Sequence, residues 1–282
     1  MKIMVPKNAG VCWGVERAIE MAHQTLENNL HEPTVTLGPL VHNPEVVSEF
    51  ENKGVKVVSA LNEAPQGTVI FRSHGVPVSF YEEAKERNLT VIDATCPFVK
   101  KSQNFARRLG RLGYVVIVVG DANHPEMKSV RSFISAEHLV TMDPKDLNQI
   151  SPEKKVGVIA QTTIPKTMLD KIVDACHERF CEVEVYDTIC DATKVRQEEA
   201  AECAAQVDCM IIIGGQSSAN TKKLTQICQK IQPKSFQIEH EREIDFSWFS
   251  GVKILGITAG ASTPVSVIER VKRFIEEKIL LN

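Results

Sequence analysis

Three of the eight cysteines share one setting. Cys12 lies in Asn8-Ala9-Gly10-Val11-Cys12-Trp13-Gly14-Val15-Glu16-Arg17-Ala18-Ile19, after the apolar run Ile3-Met4-Val5 and before a helical pattern. Cys96 lies in Val91-Ile92-Asp93-Ala94-Thr95-Cys96-Pro97-Phe98-Val99, where the fixed φ of Pro97 suits the first position of a helix. Cys190 lies in Asp187-Thr188-Ile189-Cys190-Asp191-Ala192-Thr193, between Val183-Glu184-Val185-Tyr186 and a long helical pattern. Just ahead of a helix, free backbone N–H groups and the positive end of the dipole favour thiolate over thiol. Three such thiolates, one from each third of the chain, suit a 4Fe-4S cluster with three irons held by protein and the fourth open. One cysteine alone would read as a small buried hydrophobe, and only the recurrence favours ligation. Cys176, Cys181, Cys203, Cys209 and Cys228 lack the setting and read as ordinary thiols, Cys203 within a helix.

Other connections between an apolar run and a helical pattern carry hydrogen-bond donors: His42, His74, Ser218, Asn220 and Ser262. Such a set fits a phosphate or diphosphate, and Gly214-Gly215 would let backbone N–H groups approach the anion. Each serine alone reads as an N-cap. His124-Pro125-Glu126 with Thr162 offers a proton-transfer chain, with Glu126 as the acid if burial raises its pKa. Glu126 could equally serve only to favour a helix start near Pro125.

These residues need a scaffold that brings them to one side. Short β-branched runs alternate with amphipathic stretches throughout, which predicts an α/β fold of mostly parallel sheets with ligands outside the carboxyl ends of the strands. Strands are expected near 3-5, 34-37, 55-58, 68-71, 90-92, 114-119, 138-141, 155-160, 182-186, 209-213, 235-238 and 253-257. Helices are expected near 14-29, 44-53, 78-87, 97-111, 165-179, 191-206, 220-231 and 264-279. The reactive connections repeat: His42, His74, Cys96, then His124, Thr162, Cys190, then Ser218 and Ser262 without a cysteine, which Cys12 could supply. This predicts three pseudo-repeated lobes in a trefoil around a central cavity: residues 13-96, 97-190 and 191-282, the third joined by residues 1-12.

The chain of 282 residues, with 33 basic and 36 acidic side chains and a formal charge of -3, is expected to be globular and not built to hold nucleic acid. Its most apolar stretches, Tyr114 to Val119 and Cys209 to Ile213, are too short to span a bilayer, and no leader pattern opens the sequence, so a cytoplasmic protein with no membrane partner is expected. Eight cysteines without a Cys-x-x-Cys pair point to free thiols or to metal ligands drawn from distant segments.

Taken together, Gly10-Val11-Cys12-Trp13-Gly14-Val15-Glu16-Arg17-Ala18, Gly38-Pro39-Leu40-Val41-His42-Asn43, Ser73-His74-Gly75-Val76, Asp93-Ala94-Thr95-Cys96-Pro97, His124-Pro125-Glu126, Gln161-Thr162-Thr163, Thr188-Ile189-Cys190 with Arg196-Gln197, and Thr258-Ala259-Gly260-Ala261-Ser262 resemble the 4-hydroxy-3-methylbut-2-enyl diphosphate reductases of the non-mevalonate isoprenoid pathway. The motifs stand in family order over nearly the whole chain. The resemblance implies one 4Fe-4S cluster per chain on Cys12, Cys96 and Cys190, and a small allylic diphosphate held by His42, His74, His124, Ser218, Ala219, Asn220 and Ser262. It implies catalytic roles for Glu126, His124 and Thr162, and a ferredoxin or flavodoxin-type electron donor. Trp13 and Ser73 stand where the family more often has Phe and Ala, and Ala219 replaces a serine, leaving a backbone N–H there but no hydroxyl. A cluster-dependent hydro-lyase, needing no reductant, and a non-catalytic iron-sulfur sensor, with no use for Glu126, are the other classes consistent with three cysteines.

Overall fold

The computed structural model describes residues 1–29, 32–41, 43–216, 218–261 and 263–280. His42 and Ser262 therefore lie outside the described residues. In chain order the elements are β1 (Lys2–Met4), α1 (Trp13–Asn28), β2 (Thr34–Leu37), α2 (Pro44–Asn52), β3 (Lys56–Val58), β4 (Thr68–Phe71), α3 (Ser79–Glu86), β5 (Thr90–Asp93), α4 (Pro97–Arg111), β6 (Val115–Val119), α5 (Pro125–Ser132) and β7 (His138–Thr141). There follow β8 (Val156–Ala160), α6 (Lys166–Arg179), β9 (Val183–Val185), α7 (Asp191–Ala204), β10 (Cys209–Ile213), α8 (Ala219–Ile231), β11 (Ser235–Ile238), β12 (Ile254–Ala259) and α9 (Val265–Leu280). No helix among the described residues is long and apolar enough to cross a membrane.

The strands form three lobes, each a four-stranded parallel sheet, in the orders β3-β2-β4-β5, β7-β6-β8-β9 and β11-β10-β12-β1. The same order recurs three times: second strand, first, third, fourth. In the third sheet the fourth place is taken by the N-terminal strand, with Lys2 opposite Ile254 and Met4 opposite Gly256. Each fourth strand, β5, β9 or β1, leads into one of the recurrent cysteines. The central strands are apolar throughout: Val115–Val119, Val156–Ala160 and Cys209–Ile213 are buried at every position, as expected where helices cover both faces.

By contacts the chain divides into two compact units, Met1–Glu16 with the segment from Asp191 onward, and Arg17–Cys190. In the first, Ile211, Ile213, Leu255 and Ile257 pack against Val267, Ile268, Val271 and Ile275 of α9, while Met210 and Ile212 meet Ala200, Cys203 and Leu224 of α7 and α8. In the second, Val116, Val118 and Ile159 pack against Val99, Ala106 and Leu109 of α4 and Met127 and Val130 of α5; Val115, Ile117 and Val158 face Leu169, Ile172 and Cys176 of α6. The sheet of β2 to β5 buries Val35, Leu37, Val69 and Phe71 with Ala84 of α3.

Most expected elements agree within two residues. The expected helices leave out α5 apart from the helix start allowed near Pro125, because its eight residues carry only Met127 and Val130 as an apolar pair, too little for periodicity to reveal. The helix forms because Pro125 stands at its first position, His124 caps it, and Gln103 Nε2 of α4 donates to Ser129 Oγ at 2.9 Å.

Candidate active site

Each recurrent cysteine is the residue immediately before a helix: Cys12 before Trp13, Cys96 before Pro97 and Cys190 before Asp191. All three are half-buried, whereas Cys176, Cys203, Cys209 and Cys228 are buried in the cores. Burial pushes the Cys176, Cys203 and Cys209 thiols up to about 11 and that of Cys228 up to about 12, so these four stay protonated and poor metal ligands. Cys181 is exposed, at the end of α6 and away from any helix start.

In the unit Arg17–Cys190 the predicted residues form one connected chain. The Cys96 N–H donates to Ser73 O at 2.9 Å, tying the cysteine to the connection that carries His74. The His74 ring meets His124 edge to face, with centroids 5.8 Å apart at 76°. The Nδ1 of His124 accepts the Glu126 N–H at 3.2 Å, which in the neutral ring leaves the proton on Nε2. Glu126 is 1 % exposed, and its two oxygens are held separately: Oε1 accepts the Thr162 N–H at 2.7 Å and Oε2 the Thr162 hydroxyl at 2.8 Å. The Cys190 N–H closes the chain on Thr162 O at 2.8 Å. Burial raises the Glu126 carboxyl above its ordinary value, against the opposing pull of the two Thr162 bonds.

Supporting groups fix this chain. Gly75 has φ +74°, and a Cβ there would stand 2.7 Å from Ser129 Oγ and 2.8 Å from Gln103 Nε2; the Ser129 hydroxyl donates to Val76 O at 2.9 Å. Only glycine allows the His74 connection to sit this close to α4 and α5. The Thr188 hydroxyl donates to Ala160 O at 2.6 Å, and the Ala160 N–H donates to Thr188 Oγ1 at 2.9 Å. That anchors the segment before Cys190 beside the one carrying Thr162.

In the other unit, the Gly10 N–H donates to Ala259 O at 3.2 Å and the Val11 N–H to Thr263 O at 2.9 Å, which docks the Cys12 segment on the connection after β12. Gly10, at φ +89°, has no room for a Cβ, with Thr263 O at 2.7 Å. The guanidinium of Arg196, 2 % exposed, donates from Nε to Asn8 O and to Gly10 O, each at 3.1 Å. Arg196 is a positioning residue for Cys12, a role that depends on its burial within α7 and that its place in the Arg196-Gln197 motif does not reveal.

Ser218 caps α8, its Oγ accepting the Thr221 N–H at 3.2 Å, and Ala219 and Asn220 open the helix. The Gly260 N–H donates to Ile213 O at 2.9 Å and the Thr263 hydroxyl to the same oxygen at 3.3 Å, so the connections after β10 and β12 lie together. The expectation for Gly214-Gly215 is corrected at Gly214 alone, whose N–H donates to Ile238 O at 2.9 Å and so serves the fold and not an anion; the Gln216 N–H beyond donates to Glu239 Oε1.

The donor set suits an iron-sulfur group: three half-buried thiols at helix starts, set apart from four thiols that burial keeps protonated.

Residues 3–276 match the family described as LytB protein. Similar chains named 4-hydroxy-3-methylbut-2-enyl diphosphate reductase occur in Trichlorobacter lovleyi, 48 % identical over 277 residues covering 98 % of each chain, and in Geobacter sulfurreducens, 48 % identical over 282 residues covering 99 % of each. A solved structure of (E)-4-hydroxy-3-methyl-but-2-enyl diphosphate reductase, described as the terminal enzyme of the non-mevalonate pathway, superposes with a TM-score of 0.89 at 39 % identity over 98 % of this chain and 99 % of that one. The Plasmodium falciparum reductase superposes with a TM-score of 0.79 at 26 % identity, over 98 % and 87 % of the two chains. With the match running from the first strand into the last helix, the chain belongs to the LytB family.

Proposed function

We propose that the chain is a 4-hydroxy-3-methylbut-2-enyl diphosphate reductase, which removes the allylic hydroxyl of its substrate and releases isopentenyl and dimethylallyl diphosphate. The observation that carries this reading is the chain from Cys96 through His74, His124, Glu126 and Thr162 to Cys190. It joins two of the three candidate cysteines through a buried, protonatable carboxyl. Cys12, Cys96 and Cys190 would hold a 4Fe-4S cluster, which supplies electrons and an open iron for the substrate's hydroxyl.

The rest falls to the protein. With its carboxyl raised by burial, Glu126 holds a proton more readily than an ordinary glutamate and can serve as the acid. It passes that proton from Oε2 to Thr162 Oγ1 while the threonine's own hydrogen moves to the departing oxygen, which leaves as water. Two electrons and a second proton, delivered to either end of the allylic unit, complete the balance and account for two products. His124, protonated on Nε2, and His74 donate to the diphosphate, together with Ser218, Asn220, the backbone N–H of Ala219, and His42 and Ser262. Eight free cysteines fit work in the reducing cytoplasm.

The reading is tested by a Mössbauer spectrum of iron-57-loaded protein prepared without oxygen, with and without the diphosphate, followed by turnover with dithionite and methyl viologen. One distinct iron that responds to substrate, with both products formed, supports it. Four equivalent irons indifferent to substrate, or water added to the substrate without reductant, would refute it.

A further inference from the structure

Helix α4 has a property that the chemistry at Glu126 does not use. Its sequence PFVKKSQNFARRLGR carries basic side chains and no acidic one, and Cys96 caps its N-terminus. Lys100 is paired with Asp93 at 2.8 Å, but Lys101, Arg108 and Arg111 are exposed and none of them forms an ion pair among the described residues. The adjoining α5 adds exposed Lys128 and Arg131, also outside any ion pair among the described residues, while its one acid, Glu126, is buried. Repulsion among such neighbours costs a few tenths of a kcal/mol per pair at helical spacing and stabilises nothing in the fold. The chain as a whole carries a formal charge of -3, so the run of cations on α4 is a local excess, with Asp187 near enough to Lys101 to feel its charge.

The cations surround apolar groups. Phe98, 38 % exposed, Phe105 and Leu112, 52 % exposed, follow the same stripe of α4 as Lys101 and Arg108. Phe105 stacks on Tyr186 at 4.0 Å, and the Arg108 guanidinium lies 5.8 Å from the Tyr186 ring. At 1.5 Å per residue, Lys101 lies roughly 8 Å along the axis from Cys96.

We propose that this stripe is the docking surface for an acidic one-electron carrier protein. The inference rests on the reductase reading, in which two electrons must be delivered from outside the chain. A protein carrier is the donor whose chemistry the exposed cations and aromatic groups of α4 would suit. Redox encounters are small, transient and steered by opposite charge, and exposed aromatic groups ringed by lysine and arginine beside a candidate cluster ligand suit that use.

The test measures binding of an acidic plant-type ferredoxin to the iron-loaded protein by calorimetry, at about 20 and about 300 mM salt. It compares wild type, the triple reversal Lys101→Glu, Arg108→Glu, Arg111→Glu, and the milder triple glutamine variant. Lys171→Glu on α6 and Arg273→Glu on α9 are the controls. The expected result is salt-sensitive binding that weakens at least roughly tenfold in both triple variants and stays unchanged in the controls. Turnover driven by dithionite and methyl viologen stays within twofold of wild type in every variant. No ferredoxin binding by wild type, equal binding by the triple variants, equal losses in the controls, or tighter binding of a DNA duplex than of ferredoxin at the same salt would overturn the proposal. Failure of wild type to turn over with the chemical reductant counts against the reductase reading instead, and the binding data still decide the docking surface.

Discussion

Replacing Glu126 by glutamine separates the carboxyl's chemistry from its structural place. The glutamine side chain would keep both contacts: its carbonyl accepts the Thr162 N–H now 2.7 Å from Oε1, and its amide donates to the threonine oxygen now 2.8 Å from Oε2. Volume and hydrogen bonds survive while the transferable proton is lost. A positioned general acid contributes about 10²- to 10⁴-fold to rate, so dithionite-driven turnover should fall by that factor with iron content unchanged. Stability should hold or rise. Burial penalises the ionised carboxyl, so the folded-state pKa lies above the ordinary 4.5, and the native state is progressively disfavoured as pH climbs from that value through the raised one. Glutamine removes the penalty, so its advantage over wild type in urea unfolding should be absent below pH 4.5 and grow above it. Glu126→Ala, by contrast, strands the buried Thr162 N–H and opens a cavity, costing about 1–3 kcal/mol for the lost partner before the cavity is counted. A glutamine variant with turnover within threefold of wild type, or one less stable than the alanine variant, would refute the assignment.

The same raised carboxyl gives turnover a direction with pH: activity should decline as rising pH deprotonates Glu126, at a pH above that of an ordinary glutamate, and a rate that climbs as Glu126 deprotonates would contradict the relay. Cys96→Ser and Cys190→Ser should each lose most bound iron in an anaerobic iron assay, whereas Cys228→Ser should retain it, its thiol being pushed up to about 12 in a closed core. Arg196→Met removes the donor shared by Asn8 O and Gly10 O; it should cost about 2–3 kcal/mol in denaturant and reduce iron content, and full iron retention would show that Cys12 needs no such clamp. Gly75→Ala, forced to φ +74° with Ser129 Oγ 2.7 Å from the new methyl, should destabilise by more than about 1 kcal/mol and weaken diphosphate binding through His74.

Much of the architecture was legible because parallel strands buried on both faces announce themselves: Val115–Val119 and Cys209–Ile213 are apolar throughout and could hardly be anything else. The cysteines were legible because Pro97 and the apolar runs before Cys12 and Cys190 place each at a strand-to-helix connection. What stayed hidden depends on contacts remote in sequence. The eight-residue α5 is specified by a cap and by Gln103 on another helix, and neither leaves a periodic trace. Thr162 was seen as a hydroxyl, but its backbone N–H holds the other carboxyl oxygen, and no residue type encodes that. Gly214 looked like an anion cradle until its N–H was found bonded to β11, a partner fixed only by sheet register.

The place of β1 in the third sheet also sets an order of events during synthesis. Lys2 is made before its partner Ile254, which follows about 250 residues later, a wait of roughly 12 to 50 s at typical translation rates. The sheets of β2 to β5 and β6 to β9 can each close from segments contiguous in the chain, so Cys96 and Cys190 gain their surroundings while the ribosome is still at work. The strand that leads to Cys12 must stay unpaired through that interval. On the proposed assignment of Cys12, Cys96 and Cys190 as ligands, insertion of iron and sulfide would wait until β12 has emerged, and a nascent chain stalled before that point should carry Cys12 on an open arm.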